Sequence, residues 1–299
     1  MSLTFSRRAL LGGVSITLLG ACASGRSRSE QPGAGQDAFA RAVANIEATV
    51  GGRVGLYALD TGTSRALSHR ADERFAMCST FKWVLAAAVL SRVDQGALSL
   101  EEPVSYSASD LVDHAPVTAL HVDRGSLSIE ELISAAVLVS DNPAANLLLS
   151  KIGGPAGFTQ YVRTLGDQVT RLDRTELTLN TNAPGDEQDT TSPRAMVSLM
   201  NRVLLGEALS SASRERLLNS LRAVETGQRR LRSGLPPQFD TGDKTGTGGR
   251  GAVNDVAICI PPGRKPWLIA AYLSDSAADL TVLEGAHAAL GDLISQEFA

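Results

Sequence analysis

The sequence predicts an α/β fold of two domains, in which both ends of the chain build a β-sheet and a helical domain is inserted between them. Strand-like segments occur within residues 53–69 and again within 239–273, and the roughly 150 residues between them are mostly helical in pattern. Segments of one type that are separated by a long insertion of another type are typical of two packed layers or domains. We therefore expect a sheet domain of residues 37–70 and 222–299 and an all-α domain of residues 71–221.

The individual elements follow from residue spacing. Apolar residues recur at helical spacing in residues 37–50 and in about 276–298, which predicts a first and a last helix. Segments bounded by Gly- and Pro-containing turns predict five strands: Arg53–Asp60, Ser64–His69, Phe239–Thr247, Asn254–Ile260 and Pro266–Leu273. In the helical domain, a capping box from Ser128 to Glu131 opens one helix, and Ser192 before a proline opens another.

The first 36 residues are predicted to direct export rather than to join the fold. The segment 6–19 pairs two arginines with a short apolar stretch, which is typical of a twin-arginine export signal. Cys22 ends a Leu-Gly-Ala-Cys sequence as in a lipobox, so we favour a lipid anchor at Cys22. The small residues on either side of Cys22 also fit an ordinary cleavage site, which is the alternative. Residues 24–36 have the composition of a flexible tether. Because the signal directs export, we expect the body of the protein outside the cytoplasmic membrane, either anchored to it or released into the periplasm or medium.

Composition is that of an ordinary globular protein, with 43% hydrophobic and 20% charged residues and a net charge of −4. The net charge does not indicate nucleic-acid binding, and the sequence has no basic stripe. Cys78 and Cys259 are the cysteines after the leader, and we interpret both as buried free thiols. The four histidines are scattered without the spacing of metal ligands, so neither a metal nor a cofactor is expected.

A serine and a lysine carry the first chemical signal. Lysine occurs four times in the chain, and Lys82 is the only one with a serine three residues before it, Ser79. Ser79 precedes a strongly helical run, so it lies at a helix N-terminus that favours developing negative charge, and residues i and i+3 share a helix face. A serine becomes nucleophilic when a base accepts its proton, and a lysine can do so when burial or a nearby cation lowers its pKa. Taken alone, this spacing fits a capped helix with a solvated amine equally well.

Two further motifs, each ordinary by itself, occur downstream. The tripeptide Ser140-Asp141-Asn142 follows an apolar helix and precedes a proline, which alone indicates a helix stop. The tripeptide Lys244-Thr245-Gly246 lies on a predicted strand, where its glycine permits close approach of a ligand. The alternative is an edge strand whose lysine guards against pairing with another chain.

With Ser79-x-x-Lys82, these tripeptides occur in the order found in class A β-lactamases and penicillin-binding proteins. The sequence resembles the class A serine β-lactamases over essentially all of residues 37–299, and Arg230 is placed as in the actinobacterial-type members. The resemblance implies a five-stranded antiparallel sheet flanked by N- and C-terminal helices, plus an all-α domain. It also implies a monomer that hydrolyses β-lactam antibiotics through an acyl-enzyme and confers resistance.

By resemblance, the segment at about 171–189 is the family's Ω loop. Glu176 and Asn180 would hold the hydrolytic water, and Arg174 would pair with Asp189 to close the loop. Many relatives have a proline after this glutamate, whereas this chain has Leu177. The resemblance therefore does not extend to the residue after Glu176.

The resemblance also implies the remainder of the pocket. Backbone N–H groups of Ser79 and Thr247 would form the oxyanion hole, and Ser140 would relay a proton to the departing ring nitrogen. The residues implied to contact the substrate are Asn142, Asn180, Lys244, Thr245, Gly246, Arg230 and His114. Of these, Arg230 would replace an arginine that many relatives carry on the strand, where this chain has Val253. His114 would stand at the mouth of the cleft, and Asn146 would be structural support.

Two other functions share part of this pattern. A DD-peptidase has the first three motifs but would lack the arrangement of Glu176 and Asn180. A β-lactam sensor becomes acylated and stays acylated. Such a module is expected to be attached to a multi-spanning membrane segment, whereas the apolar leader here is an export signal. The sequence leaves open whether Lys82 or Glu176, acting through water, is the base for acylation.

Overall fold

The computed structural model describes residues 34–299. A five-stranded antiparallel sheet forms the centre of the molecule, and each strand lies within two residues of its predicted bounds. Its strands are β1 (Arg53–Asp60), β2 (Ala66–His69), β3 (Asp240–Thr247), β4 (Val253–Ile260) and β5 (Trp267–Ser274). They are arranged in the order β2-β1-β5-β4-β3, so strands from the two ends of the chain pair at β1 and β5. The predicted export signal and Cys22 lie outside the described residues.

Nine α-helices are described in residues 34–299. They are α1 (Ala34–Val50), α2 (Phe81–Asp94), α3 (Ile129–Leu138), α4 (Asn142–Lys151), α5 (Gly154–Thr164), α6 (Pro193–Met200), α7 (Ser211–Arg222), α8 (Leu231–Gly234) and α9 (Leu280–Phe298). Both predicted caps are confirmed: Ser128 Oγ accepts from Glu131 N (3.2 Å), and Ser192 Oγ accepts from Ala195 N (3.3 Å). Within the described part of the chain, no helix combines the length and apolar character needed to cross a membrane.

The sheet separates two hydrophobic cores. On one face, α1, α8 and α9 pack against Trp267 and Ile269 of β5. On the other face, the inserted helices pack against Leu268 and Tyr272 of the same strand. Strand β5 is buried along its whole length because both of its faces are covered, which explains its nearly continuous apolar sequence.

The inserted segment is not purely helical. Phe75–Ala76 pairs with Thr190–Thr191, and Pro103–Ser105 pairs with Ser126–Ser128, in two short antiparallel ribbons. The expectation of an all-α segment therefore overlooked these ribbons. Strands of two or three residues are too short for an alternating pattern to be visible in the sequence.

Gly246 allows the edge strand β3 to lie beside the start of α2. A Cβ atom at Gly246 would lie 2.8 Å from Met77 O, 3.0 Å from Thr80 N and 3.1 Å from Ser79 N. Contacts this close exclude any side chain, so only glycine permits the approach. The fold thereby brings the Lys244-Thr245-Gly246 strand against the turn that carries Ser79.

Candidate active site

Ser79 lies in a short 3-10 turn, Cys78–Thr80, that leads directly into α2. Cys78 has a left-handed backbone (φ 45°), a conformation that costs a non-glycine residue about 1–3 kcal/mol and is common at functional sites. Ser79 is half-buried, and its Oγ lies 3.4 Å from Glu176 Oε1. Burial raises the pKa of the Cys78 thiol to about 12, so that sulfur stays protonated beside the half-buried Ser79.

Lys82 lies on the first turn of α2, fully buried. Its Nζ lies 3.0 Å from Glu176 Oε1 and donates to Ser140 O (2.8 Å) and Asn142 Oδ1 (2.5 Å). Burial lowers the pKa of Lys82, while the charge of Glu176 and its hydrogen bond oppose that shift. Four oxygen atoms, from Ser140, Asn142 and Glu176, therefore surround the Lys82 amine, which rules out a solvated amine.

Ser140 lies between the two buried lysines of the site. It joins α3 to α4 with a left-handed backbone (φ 62°). Its Oγ lies 3.3 Å from Lys82 Nζ and 3.2 Å from Lys244 Nζ. The Ser140 hydroxyl therefore connects Lys82 of α2 to Lys244 of β3.

Asp141 and Asn142 fix the loop that faces Ser79. The fully buried carboxylate of Asp141 caps α4 and accepts hydrogen bonds from the backbone N–H groups of Val117, Thr118 and Ala144. Asn142 Nδ2 donates to Asp113 O (2.8 Å), and Asn142 N donates to His114 O (3.0 Å). The His114 ring is exposed, and its Nε2 lies 2.8 Å from Val139 O.

Glu176 is held on several sides within the loop at 171–189. Asn180 Nδ2 donates to Glu176 Oε2 (2.5 Å), and the side chain of Asn146 bonds both Glu176 N and Glu176 O at 3.0 Å. Arg174 Nε donates to the buried Asp189 (2.5 Å), which closes the loop. The Glu176–Leu177 peptide bond is cis, and the side chain of Leu177 is exposed.

Strand β3 lies at the edge of the sheet, but its lysine does not guard that edge. Lys244 is fully buried, and its Nζ contacts Ser140 Oγ and Thr245 O (3.0 Å). Burial, and then the charge of Lys82, lower the pKa of Lys244 to about 7. Thr245 Oγ1 lies 2.6 Å from Thr226 Oγ1, whereas Thr247 at the end of the strand is exposed.

Arg230 reaches the end of β3 from the segment before α8. Its Nη2 donates to Thr247 Oγ1 (2.8 Å), and its Nη1 donates to Gly246 O (2.9 Å) and Asn254 O (2.8 Å). Arg230 is buried, which lowers its pKa, while the charges of Asp255 and Glu284 act in the opposite direction. The structure therefore places a cation beside Thr247, the residue that pairs with Val253 in the sheet.

Several supporting residues were missed by sequence analysis. Thr226 contacts Thr245, and Glu284 lies 2.7 Å from Arg229 Nε and 3.6 Å from Arg230 Nε. Neither residue belongs to a motif, and Glu284 is separated from Arg230 by four sheet and helix elements. Glu284 comes near Arg230 through the packing of α9, and Thr226 meets Thr245 from the loop between α7 and α8, so no local signal pointed to either residue.

The cysteines and histidines of the described residues form no further site. Cys78 and Cys259 are both free and buried, which confirms that prediction. Burial also raises the pKa of Cys259. Within residues 34–299, no group of three or more His, Cys, Asp or Glu side chains is placed to hold a metal ion.

Comparison with known proteins agrees with this geometry. A model of the β-lactamase enzyme family matches residues 38–298. β-Lactamase L2 of Stenotrophomonas maltophilia is 43% identical over 276 residues, covering 92% of this chain and 90% of that protein. The carbapenem-hydrolysing β-lactamase KPC of Klebsiella oxytoca is 44% identical over 230 residues, covering 77% and 78% respectively. Among solved structures, the class A β-lactamase of the last common ancestor of Gram-negative bacteria has a TM-score of 0.86 at 50% identity, covering 88% of this chain and 100% of that one.

The fold and the site together define a serine hydrolase, in which Ser79 lies next to a buried lysine and a glutamate. The chain belongs to the β-lactamase enzyme family, and within it to class A. The five-stranded sheet flanked by helices is the fold of that class. Enzymes of the class hydrolyse β-lactams through a serine and confer resistance to them.

Proposed function

We propose that the protein hydrolyses β-lactam antibiotics by forming an acyl-enzyme on Ser79, which water activated by Glu176 then cleaves. The observation that best supports this proposal is the position of Glu176 Oε1, 3.4 Å from Ser79 Oγ and 3.0 Å from Lys82 Nζ. A general base must lie within hydrogen-bonding reach of the proton it accepts, and apo sites are often slightly long. One carboxylate can therefore serve both the nucleophile and the later hydrolytic water.

Acylation requires two proton movements. The bond from Ser79 Oγ to the carbonyl carbon forms as the lactam C–N bond breaks, so the serine proton leaves and the ring nitrogen gains a proton. Since the N–H donors of Lys82 are already directed at acceptors, the resting geometry favours Glu176 as the first acceptor of the Ser79 proton. Ser140 Oγ, 3.3 Å from Lys82 Nζ, would give its proton to the ring nitrogen and be reprotonated from Lys82, which Glu176 then resupplies.

Substrate binding would rely on strand β3 and its neighbours. The end of the strand is surrounded by Lys244, Thr245 and Arg230, the last of which acts through Thr247. These cationic and hydroxyl groups would bind the carboxylate that β-lactams carry beside the ring. The backbone N–H groups of Ser79 and Thr247 would hold the oxyanion, at about 3–4 kcal/mol for each donor. The exposed backbone beside Gly246 would pair with the substrate. Asn142 and His114, on the opposite wall, would contact the acylamide side chain.

Deacylation separates this function from its two rivals. A DD-peptidase or a β-lactam sensor would share Ser79, Lys82 and Ser140 but has no need of a second base that positions water. Asn180 Nδ2, 2.5 Å from Glu176 Oε2, supports a water site next to the acylated serine. The hydrolase is therefore the function that the site supports best.

The experiment is catalytic turnover of a chromogenic cephalosporin, followed by a steady-state panel of penicillin, cephalosporin and carbapenem substrates. We expect many turnovers for each enzyme molecule. A stoichiometric burst that then stops, with a stable adduct on the protein, would favour the sensor or the peptidase instead. The panel would also define the substrate range.

The proposal extends to location and assembly. The arginine pair and the apolar stretch in residues 6–19 support export by the twin-arginine route, with a lipid on Cys22 or cleavage beside it. The exported protein would act as a monomer, with a sheet domain of 37–70 and 222–299 and an inserted domain of 71–221. Labelling with radioactive palmitate distinguishes the two fates of the N-terminus: label in the unaltered chain and its loss in Cys22→Ser supports the lipid anchor, and no label supports release.

A further inference from the structure

Asn182 links the Ω loop to two parts of the sheet. Its Nδ2 donates to Gly249 O (3.1 Å), in the turn between β3 and β4, and to Ser274 Oγ (3.0 Å), at the end of β5. Ser274 is almost fully buried, so the side chain of Asn182 reaches into the body of the protein. Asn182 also has a left-handed backbone (φ 47°), which asparagine tolerates better than most residues.

The loop around Asn182 has few other attachments. Among the described residues 181–185, Asn182 is the one whose side chain makes hydrogen bonds to another part of the chain. Just before it, Asn180 O accepts from Gly249 N (2.8 Å). Gly249 is therefore held at its N–H by Asn180 and at its carbonyl oxygen by Asn182.

The contact between the loop and the turn is as close as the backbone permits. A Cβ atom at Gly248 would lie 2.7 Å from Asn180 O, and one at Gly249 would lie 2.7 Å from Thr181 O. No side chain separates this part of the Ω loop from the turn between β3 and β4. Because Gly249 contacts both Asn182 and Asn180, a displacement of Asn182 would also move Asn180.

We propose that Asn182 is a positioning residue for deacylation, because it holds the Ω loop against the β3–β4 turn and so keeps Asn180 and Glu176 in register with the acylated serine. This inference rests on the proposed function. Asn180 Nδ2 contacts Glu176 Oε2, while Lys82 contacts the other oxygen, Oε1. Loss of the Asn182 contacts would disturb the face of Glu176 that meets Asn180 and leave Lys82 in place.

The acylation groups are held by other contacts, and Glu176 Oε1, the oxygen that faces Ser79, is held by Lys82. Ser79 lies in the 3-10 turn before α2, Lys82 lies on the first turn of α2, and Ser140 lies in the loop between α3 and α4. None of these segments hydrogen-bonds to Asn182. The inference therefore requires a selective effect on deacylation, which a merely structural role would not produce.

The kinetic test compares Asn182→Gly, which keeps the left-handed backbone and removes the carboxamide, with the neighbouring control Thr181→Ala. We expect Asn182→Gly to slow deacylation of a cephalosporin about tenfold, as the loss of one or two hydrogen bonds would do, with kcat/KM held to within about twofold. The fraction of protein acylated during turnover, measured by mass spectrometry, should rise accordingly. The Thr181 variant should match the unaltered protein. Equal slowing of acylation and deacylation, or no change in either, would overturn the role of Asn182.

A second measurement tests the attachment without turnover. In the full chain, amide hydrogen exchange at Gly249 should be faster in Asn182→Gly than in Thr181→Ala, while exchange at the amides of α2 stays the same. Unchanged exchange at Gly249 would overturn the role of Asn182 and leave the hydrolase proposal standing. If the unaltered protein formed no adduct with the cephalosporin, the proposed function and this role would both be contradicted.

Discussion

Lys82 Nζ lies 3.0 Å from Glu176 Oε1, and both side chains are completely excluded from solvent. Removing one partner of such a buried pair leaves an uncompensated charge, at a cost of about 3–5 kcal/mol. The same carboxylate also accepts from Ser79 and from Asn180, so it joins the nucleophile, the lysine and the Ω loop. Changes in these partners are therefore expected to affect different steps of one reaction.

The pH dependence of substrate capture is expected to report Lys244. Its pKa is lowered to about 7 by burial and then by Lys82, so Lys244 loses its proton, and its attraction for a carboxylate, as pH rises through 7. We expect kcat/KM to fall on the alkaline side with an apparent pKa near 7. In Lys244→Arg, whose guanidinium does not titrate, that limb should move up by more than about one pH unit. An alkaline limb that is the same in both proteins would contradict this role.

We expect Arg230 to contribute both to substrate binding and to the stability of the fold, and the two contributions can be measured separately. Arg230→Ala removes the donor to Thr247 and leaves Glu284 with Arg229 alone. We expect KM to rise about tenfold to a hundredfold, the value of a hydrogen bond to a charged group, and the thermal midpoint to fall. The double variant Arg230→Met with Glu284→Gln removes both buried charges, so it should recover the midpoint but not KM. Recovery of KM in the double variant would show that Arg230 does not bind substrate.

Asp141 is expected to be a major determinant of stability. Its buried carboxylate accepts three backbone hydrogen bonds and one from Thr118 Oγ1. Asp141→Ala should lower the free energy of unfolding by about 3 kcal/mol or more, measured by urea denaturation. Asp141→Asn, which keeps one acceptor oxygen, should lose less. A change within about 0.5 kcal/mol for the alanine variant would contradict this assignment.

The pair Arg174–Asp189 is expected to matter more than its neighbour Arg171–Asp173. Asp189 is fully buried and also accepts from the backbone N–H groups of residues 173 and 174, whereas Arg171 lies at the surface. Arg174→Ala should slow deacylation and lower the thermal midpoint. The matched variant Arg171→Ala, which removes an exposed pair worth about 0–1 kcal/mol, should change neither. Equal effects in the two variants would show that closure of the Ω loop is not specific to Asp189.

The elements with strong local patterns were predictable from the sequence. The five strands, the capping box at Ser128 and the first turn after Ser192 follow from spacing and from side chains that satisfy nearby backbone groups. The two short ribbons gave no such pattern, because pairs of two or three residues are stabilised by the segments around them rather than by their own sequence.

The candidate site was predictable wherever a residue belongs to a motif. Ser79, Lys82 and Lys244 are close together as the motifs suggested, and Ser140 lies between the two lysines. Glu284 and Asn182 could not be found in this way. Their contacts join segments far apart in sequence, and each residue alone fits an ordinary helix or loop position.

The central claim is an acyl-enzyme on Ser79 that Glu176 resolves, and intact-protein mass spectrometry during turnover of a cephalosporin tests it most directly. We expect Glu176→Ala to accumulate a covalent adduct that maps to the peptide containing Ser79, because the buried Lys82, without its carboxylate partner, can accept the Ser79 proton instead, whereas the hydrolytic water has no second base. Ser79→Ala should form no adduct, and the unaltered protein should return to its free mass when substrate is consumed. Unchanged turnover in Glu176→Ala, or an adduct on Ser79→Ala, would contradict the account.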